Sequence, residues 1–267
     1  MTWPVASELV RTSLSAELGR LGGQSVRAAD LIAVLQDAGM GVFAAGGAPR
    51  DWLSGKASSE VDLCVDHPLE TVAATLQQAF PEMDATRFHL ERFGMLRWGC
   101  EGFSQVDINI LRSPDDIVDG DMWGTRFVAR QDLAADARTR DFTINAFYYD
   151  FARQRILDPL GCGRQDLDAR RLRFVADPRV LDGSYRMTFR IVQFWGRGYE
   201  PSGEVRRFLG AKADRDVLGM GEERLRRWVG TRLADGKLDL SDFAPRLRSH
   251  LRTNPARQLA ARILEEF

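Results

Sequence analysis

The stretch Val42-Phe43-Ala44-Ala45-Gly46-Gly47-Ala48-Pro49-Arg50-Asp51-Trp52-Leu53-Ser54-Gly55, followed by Glu60-Val61-Asp62-Leu63-Cys64-Val65, sets the frame for the rest of the chain. Val42 to Ala45 is short, apolar and bounded by glycines, the pattern of a buried strand that ends in a turn. Pro49 then opens a short helix through Trp52 and Leu53, which Gly55 ends. Two glycines at a strand end let the backbone approach a ligand closely, and a helix opening behind them points free N–H groups at it. This is the pattern of a phosphate seat, to which Arg50 would add a charged fork. In the second strand Glu60 and Asp62 share one face, and Val61 and Leu63 the other. Carboxylates two residues apart on a strand can hold two hard cations close together. Two Mg²⁺ ions there would activate an attacking hydroxyl and stabilise a leaving pyrophosphate.

Outward from this core, residues 5–20 and 28–40 carry apolar positions at helical spacing, and Leu69 to Phe80 reads as a further helix broken by Pro81. Met95–Trp98 and Val106–Leu111 read as strands joined through a turn at Gly99 and Gly102. Asp107 lies between branched apolar residues of the second of these and projects opposite to them. Pro114 to Trp123 is polar and rich in Asp and Gly, a loop or flap. After Thr143, the pattern Ile144, Phe147, Tyr148 predicts a helix, and Asp158 to Gly163 a turn. From Asp182 onward helices dominate, including the Arg-rich stretch Glu222 to Leu233 and the last stretch, Ala256 to Phe267. The expected organisation is an α+β head over residues 1–180, with a small mixed sheet flanked by helices, and an all-helical part over 181–267.

The chain has 267 residues with 37 Lys and Arg against 38 Asp and Glu, so no global charge draws it to nucleic acid or membrane. Residues 201–267 hold 14 of the basic and 10 of the acidic residues, a mildly basic tail behind an acidic front. Cys64, Cys100 and Cys162 form no CxxC pair, which argues against a zinc knuckle or disulfide framework and for a reducing compartment. The N-terminus lacks the pattern of a signal peptide, and no apolar run has the length of a membrane span. A soluble, cytoplasmic protein is the expectation.

Gly46 to Asp51, Glu60-Val61-Asp62, Arg140-Asp141-Phe142-Thr143-Ile144-Asn145-Ala146, Asp158-Pro159-Leu160-Gly161, Arg171-Leu172-Arg173 and Asp177-Pro178 stand in consistent order. Together they resemble the class II tRNA nucleotidyltransferases (CCA-adding enzymes) and bacterial poly(A) polymerases, within the polymerase β-like nucleotidyltransferase superfamily. The resemblance covers about residues 35–200. It implies metal-dependent transfer of CMP or AMP from CTP or ATP to an RNA 3′-hydroxyl, that of tRNA or a related RNA. Glu60, Asp62 and Asp107 would hold two Mg²⁺ or Mn²⁺ ions and accept the proton. Gly46, Gly47 and Arg50 would seat the triphosphate, and Arg140, Asp141 and Asn145 would contact triphosphate and ribose.

The chain departs from the family pattern in three places. Glu60 stands where the family usually has Asp, its extra methylene moving the ligand oxygen by more than about an ångström at full extension. The base-reading helix motif of the family corresponds here to Asp182-Gly183-Ser184-Tyr185-Arg186, which keeps Arg186 but loses the central carboxylate, and Arg190 follows one residue later than in the usual pattern. The helical part is short, with Glu222 to Arg227 resembling the start of the neck. A small-molecule or protein acceptor for the same chemistry, and a catalytically silent nucleotide-binding module, are the competing expectations.

Overall fold

Glycines bracket the strand from Val42 as its composition requires, and Phe43 to Ala45 are paired on both sides, which makes this strand interior to its sheet. The computed structural model of the chain describes residues 2–83, 88–90, 94–117, 127–175, 181 and 184–267. Asp177-Pro178, Asp182-Gly183 and the 118–123 part of the expected flap lie outside the described residues. The chain divides into two compact units, Met1–Arg164 and Gln165–Phe267.

In the first unit the strands are β1 (Thr2–Pro4), β2 (Glu17–Leu21), β3 (Gln24–Arg27), β4 (Val42–Ala45), β5 (Asp62–Val65), β6 (Phe88–Leu90), β7 (Met95–Trp98), β8 (Val106–Ile110), β9 (Tyr148–Asp150) and β10 (Arg155–Leu157). Its helices are α1 (Ser7–Ser13), α2 (Ala28–Asp37), α3 (Gly47–Leu53), α4 (Leu69–Ala79) and α5 (Leu133–Ala137), and α6 (Gly163–Asp168) runs across the boundary. The main sheet has the order β1-β10-β9-β4-β5-β8-β7-β6. Its pairings are antiparallel except β5 with β8, which are parallel. Leu63, Cys64, Val65, Leu96, Trp98 and Ile108 are fully buried along its centre.

Two sequence expectations are corrected. Residues 5–20 are not one helix: α1 ends at Ser13 and β2 begins at Glu17. Gly22 and Gly23, both at positive φ, form a two-residue turn that pairs Leu21 with Gln24 and draws the preceding residues into a hairpin. The stretch after Thr143 is a single 3-10 turn, Thr143–Asn145, followed by β9 rather than a helix. All three residues of β9, Tyr148-Tyr149-Asp150, are buried, so the strand carries no alternation of polar and apolar positions for a sequence reading to detect.

In the second unit α7 (Met187–Gly196), α8 (Gly203–Met220), α9 (Glu222–Ala234), α10 (Leu240–His250) and α11 (Asn254–Leu264) pack around Phe189, Leu209, Val217, Val229, Phe243 and Ile263. Two-residue strands β11 (Arg171–Leu172) and β12 (Glu200–Pro201) pair in parallel. Ser202 caps α8 by accepting from the Val205 N–H at 3.4 Å, and Asp239 caps α10 by accepting from Ser241 at 2.9 Å. Among the described residues, no helix is long and apolar enough to cross a membrane.

Candidate functional site

Strand register assembles the acids. Leu63 pairs with Ile108 and both are fully buried, so Asp62 and Asp107, each one residue earlier on parallel neighbours, lie side by side on the opposite face. Asp107 is not an edge-strand charge, because β8 is flanked by β5 and β7. Glu60 is exposed two residues before β5 begins. Across the antiparallel β7–β8 pair, Arg97 stands opposite Asp107. Its Nε donates to Oδ1 at 2.6 Å and its Nη2 to Oδ2 at 2.8 Å, a two-pronged ion pair. These hydrogen bonds, with the charges of Asp107, Asp62 and Glu60, hold the Arg97 pKa above its ordinary value against the opposing effect of burial.

The donor chemistry of Glu60, Asp62 and Asp107 suits a hard divalent cation. Among the described residues, no group of three or more His, Cys, Asp or Glu side chains is drawn together as a metal cluster. Asp107, the third donor, has both oxygens on the Arg97 guanidinium.

Ala45 pairs with Asp62, so β4 delivers the glycine turn to the same end of the sheet as the acids. Gly46 adopts φ 73° and ψ −117°, and its N–H is spent on the Phe147 carbonyl at 3.3 Å. A Cβ on Gly46 would sit 3.6 Å from Arg140 Nη1, and one on Gly47 would sit 3.5 Å from Arg50 Nη2. Two guanidiniums therefore stand against the bare glycine backbone. Arg50 is buried, with Nη1 donating to Asn145 Oδ1, and with Nε and Nη2 donating to Asp51 Oδ1 at 3.0 and 2.9 Å. Asn145 in turn donates to Asp141 Oδ1 at 2.9 Å, and that oxygen also accepts from the Phe142 N–H at 2.8 Å. Arg50, Asn145 and Asp141 form one continuous chain.

Arg140 is held from below by residues that the sequence reading missed. Asp136, fully buried, accepts from Arg140 Nη2 at 2.7 Å and Nε at 3.2 Å, from the Tyr148 hydroxyl, and from the Arg112 N–H at 2.8 Å. Arg140 Nη2 also reaches Cys64 Sγ at 3.2 Å, and its guanidinium lies 5.2 Å from the Tyr148 ring centre. Burial alone would raise the Asp136 pKa, but Arg140, Arg112 and the Tyr148 hydroxyl outweigh it and the net direction is down. Burial pushes the Cys64 thiol up to about 11. The four-residue spacing from Asp136 to Arg140, one helical turn, was the signal available in the sequence.

Arg186 and Arg190 belong to the second unit and are described within it. Arg186 precedes α7, and burial together with the positive charges of Arg232, Arg190 and Arg224 lowers its pKa. Arg190 lies over the Phe194 ring at 5.7 Å.

Residues 42–173 match the model of the poly A polymerase head domain. A CC-adding tRNA nucleotidyltransferase of Shouchella clausii (strain KSM-K16) is 31% identical over 157 residues, which cover 58% of this chain and 35% of that protein. Among solved structures, a CCA-adding enzyme in apo form II is similar with a TM-score of 0.60 at 19% identity, over 87% of this chain and 53% of that one. The Bacillus stearothermophilus CCA-adding enzyme in complex with CTP is similar with a TM-score of 0.54 at 23% identity, over 73% of this chain and 47% of that one. At these identities the structural likeness establishes the α+β fold. The chain spans about half, or less, of the length of these proteins.

Proposed function

We propose, from the premise that this chain belongs through its head at residues 42–173 to the class II CCA-adding and bacterial poly(A) polymerase family, that it transfers CMP or AMP from CTP or ATP to the 3′-hydroxyl of a tRNA or related RNA. The observation that carries this reading is the juxtaposition at one end of the sheet of Asp62, Asp107 and the glycine turn backed by Arg140.

The triphosphate lies along Gly46 and Gly47, where the absence of side chains lets its oxygens approach the backbone and Arg140 Nη1 neutralises their charge. α3 has only seven residues, so the seat rests on the glycines and the guanidinium rather than on a helix terminus. The chain of Arg50, Asn145 and Asp141 fixes an amide and a carboxylate that pair with ribose hydroxyls, and a deoxy substrate would leave them unpaired. The RNA 3′-oxygen forms its bond to the α-phosphorus, the bridging bond to the β-phosphate breaks, and pyrophosphate leaves. The hydroxyl proton passes to the carboxylate group around Asp62. Glu60, Asp62 and Asp107 are the residues that would hold divalent cations, which would supply charge neutralisation and ionisation of the hydroxyl. Arg186 and Arg190 lie in the region that corresponds to the family's base-reading motif, and we assign to them the hydrogen bonds that read the base. Without a carboxylate at position 183 the contrast between C and A falls by about 1–3 kcal/mol, the value of one two-pronged contact.

The test is incubation with Mg²⁺ or Mn²⁺, labelled CTP or ATP, and a tRNA lacking its 3′ end. Label on the RNA supports the reading. Label that appears only with a metabolite extract moves the acceptor to a small molecule, and nucleotide binding without transfer would leave a silent module.

A further inference from the structure

We propose that Arg97 is a built-in cation that competes with the divalent ion for Asp107, so that metal binding at this site requires the guanidinium to give way. The inference rests on the reading of Glu60, Asp62 and Asp107 as the metal donors, and goes beyond it by assigning a residue that opposes the metal.

Both Asp107 oxygens accept from Arg97, at 2.6 and 2.8 Å, and the two residues are direct cross-strand partners. A cation entering between Asp62 and Asp107 approaches the same two oxygens, and two positive charges a few ångströms apart repel. The competition is reversible because the pair is partly solvated: the Arg97 side chain is 40% exposed and that of Asp107 24%. An exposed pair of this kind is worth little on its own. Arg97 also lies in the field of Asp62 and Glu60, and a guanidinium keeps its charge at any ordinary pH, so it leaves Asp107 by rotating rather than by losing its proton. Displaced from Asp107, the guanidinium remains attracted by the other two carboxylates. The backbone register is fixed by β7 and β8, so exchange needs only side-chain motion. The consequence is a site whose metal affinity is set below that of the bare carboxylates.

Mn²⁺ binding, followed by electron paramagnetic resonance without nucleotide or RNA, tests this on the full chain. Arg97→Met should bind Mn²⁺ about tenfold more tightly than the wild type, the scale of removing one positive charge beside a divalent ion in a solvated site. Arg97→Lys, which keeps the charge but loses the fork, should fall between them. Asp62→Asn and Asp107→Asn should weaken binding, and circular dichroism of every variant should match the wild type. Arg97→Met binding with unchanged or lower affinity, while Asp62→Asn still weakens it, overturns the role of Arg97 and leaves the metal site standing. Mn²⁺ binding that ignores Asp62 and Asp107 overturns both. If Arg97→Met is misfolded, Arg97→Gln replaces it under the same criteria.

Discussion

The two glycines of the turn make different demands, and substitution separates them. Gly46 holds a positive φ that an L side chain rarely adopts, whereas Gly47 does not, and a Cβ at either position meets only ordinary contacts. Gly46→Ala should therefore lower unfolding free energy by about 1–3 kcal/mol, read as a shifted denaturant midpoint. Gly47→Ala should leave the midpoint almost unchanged and weaken nucleotide binding by crowding the phosphate seat. Asp62 is exposed, so Asp62→Asn should keep the fold and reduce turnover by at least about a hundredfold. A near-normal rate would remove Asp62 from the chemistry. Cys64 supplies a check on the buried network: with its pKa pushed up to about 11, roughly one molecule in a thousand carries the thiolate at pH 8. A thiol reagent at that pH should modify Cys100 and Cys162 in the native protein and reach Cys64 only after denaturation.

At the level of elements, the Asp136 hub ties the start of the segment after α5 to β9 and β5 through Arg140, Tyr148 and Cys64. Removing one partner of a buried ion pair costs about 3–5 kcal/mol, so Asp136→Asn should be markedly destabilised. Because the Asp136 pKa is lowered in the folded state, its contribution is complete above the ordinary carboxylate pKa of about 3.9 and is lost as pH falls through the lower folded value. The wild type should thus lose stability on acidification more steeply than Asp136→Asn, as urea unfolding between pH 7 and pH 3 would record. What could be read in advance follows the same division. The strand alternation around Asp62 and Asp107 is local, and it placed both on the correct face. Arg97 sits on a strand with the same alternation, but its partner depends on the register of β7 against β8, which no local pattern contains. Residues 143–148 misled for a related reason: all three residues of β9 are buried, so periodicity had nothing to report, and Gly22-Gly23 outweighed the helical spacing before it.

Over the whole molecule, the net charge of −1 conceals a separation of sign. Residues 165–267 carry 21 Lys and Arg against 15 Asp and Glu, leaving 16 against 23 in residues 1–164. By net charge the first unit is acidic and the second basic, so an RNA acceptor of the kind proposed would be drawn to the second. Within the second unit Arg206, Arg207 and Arg252 gather around a shallow groove of about 410 Å³ floored by Gly210 and Ala211. If these three arginines neutralise three phosphates of a bound tRNA, affinity should fall about fortyfold between 50 and 200 mM salt. Replacing all three by Gln should flatten the dependence of log affinity on log salt by nearly three, with transfer to a minimal RNA end much less affected. An unchanged slope in the triple variant would take the RNA backbone off this groove and leave the excess charge as a solvated helix surface.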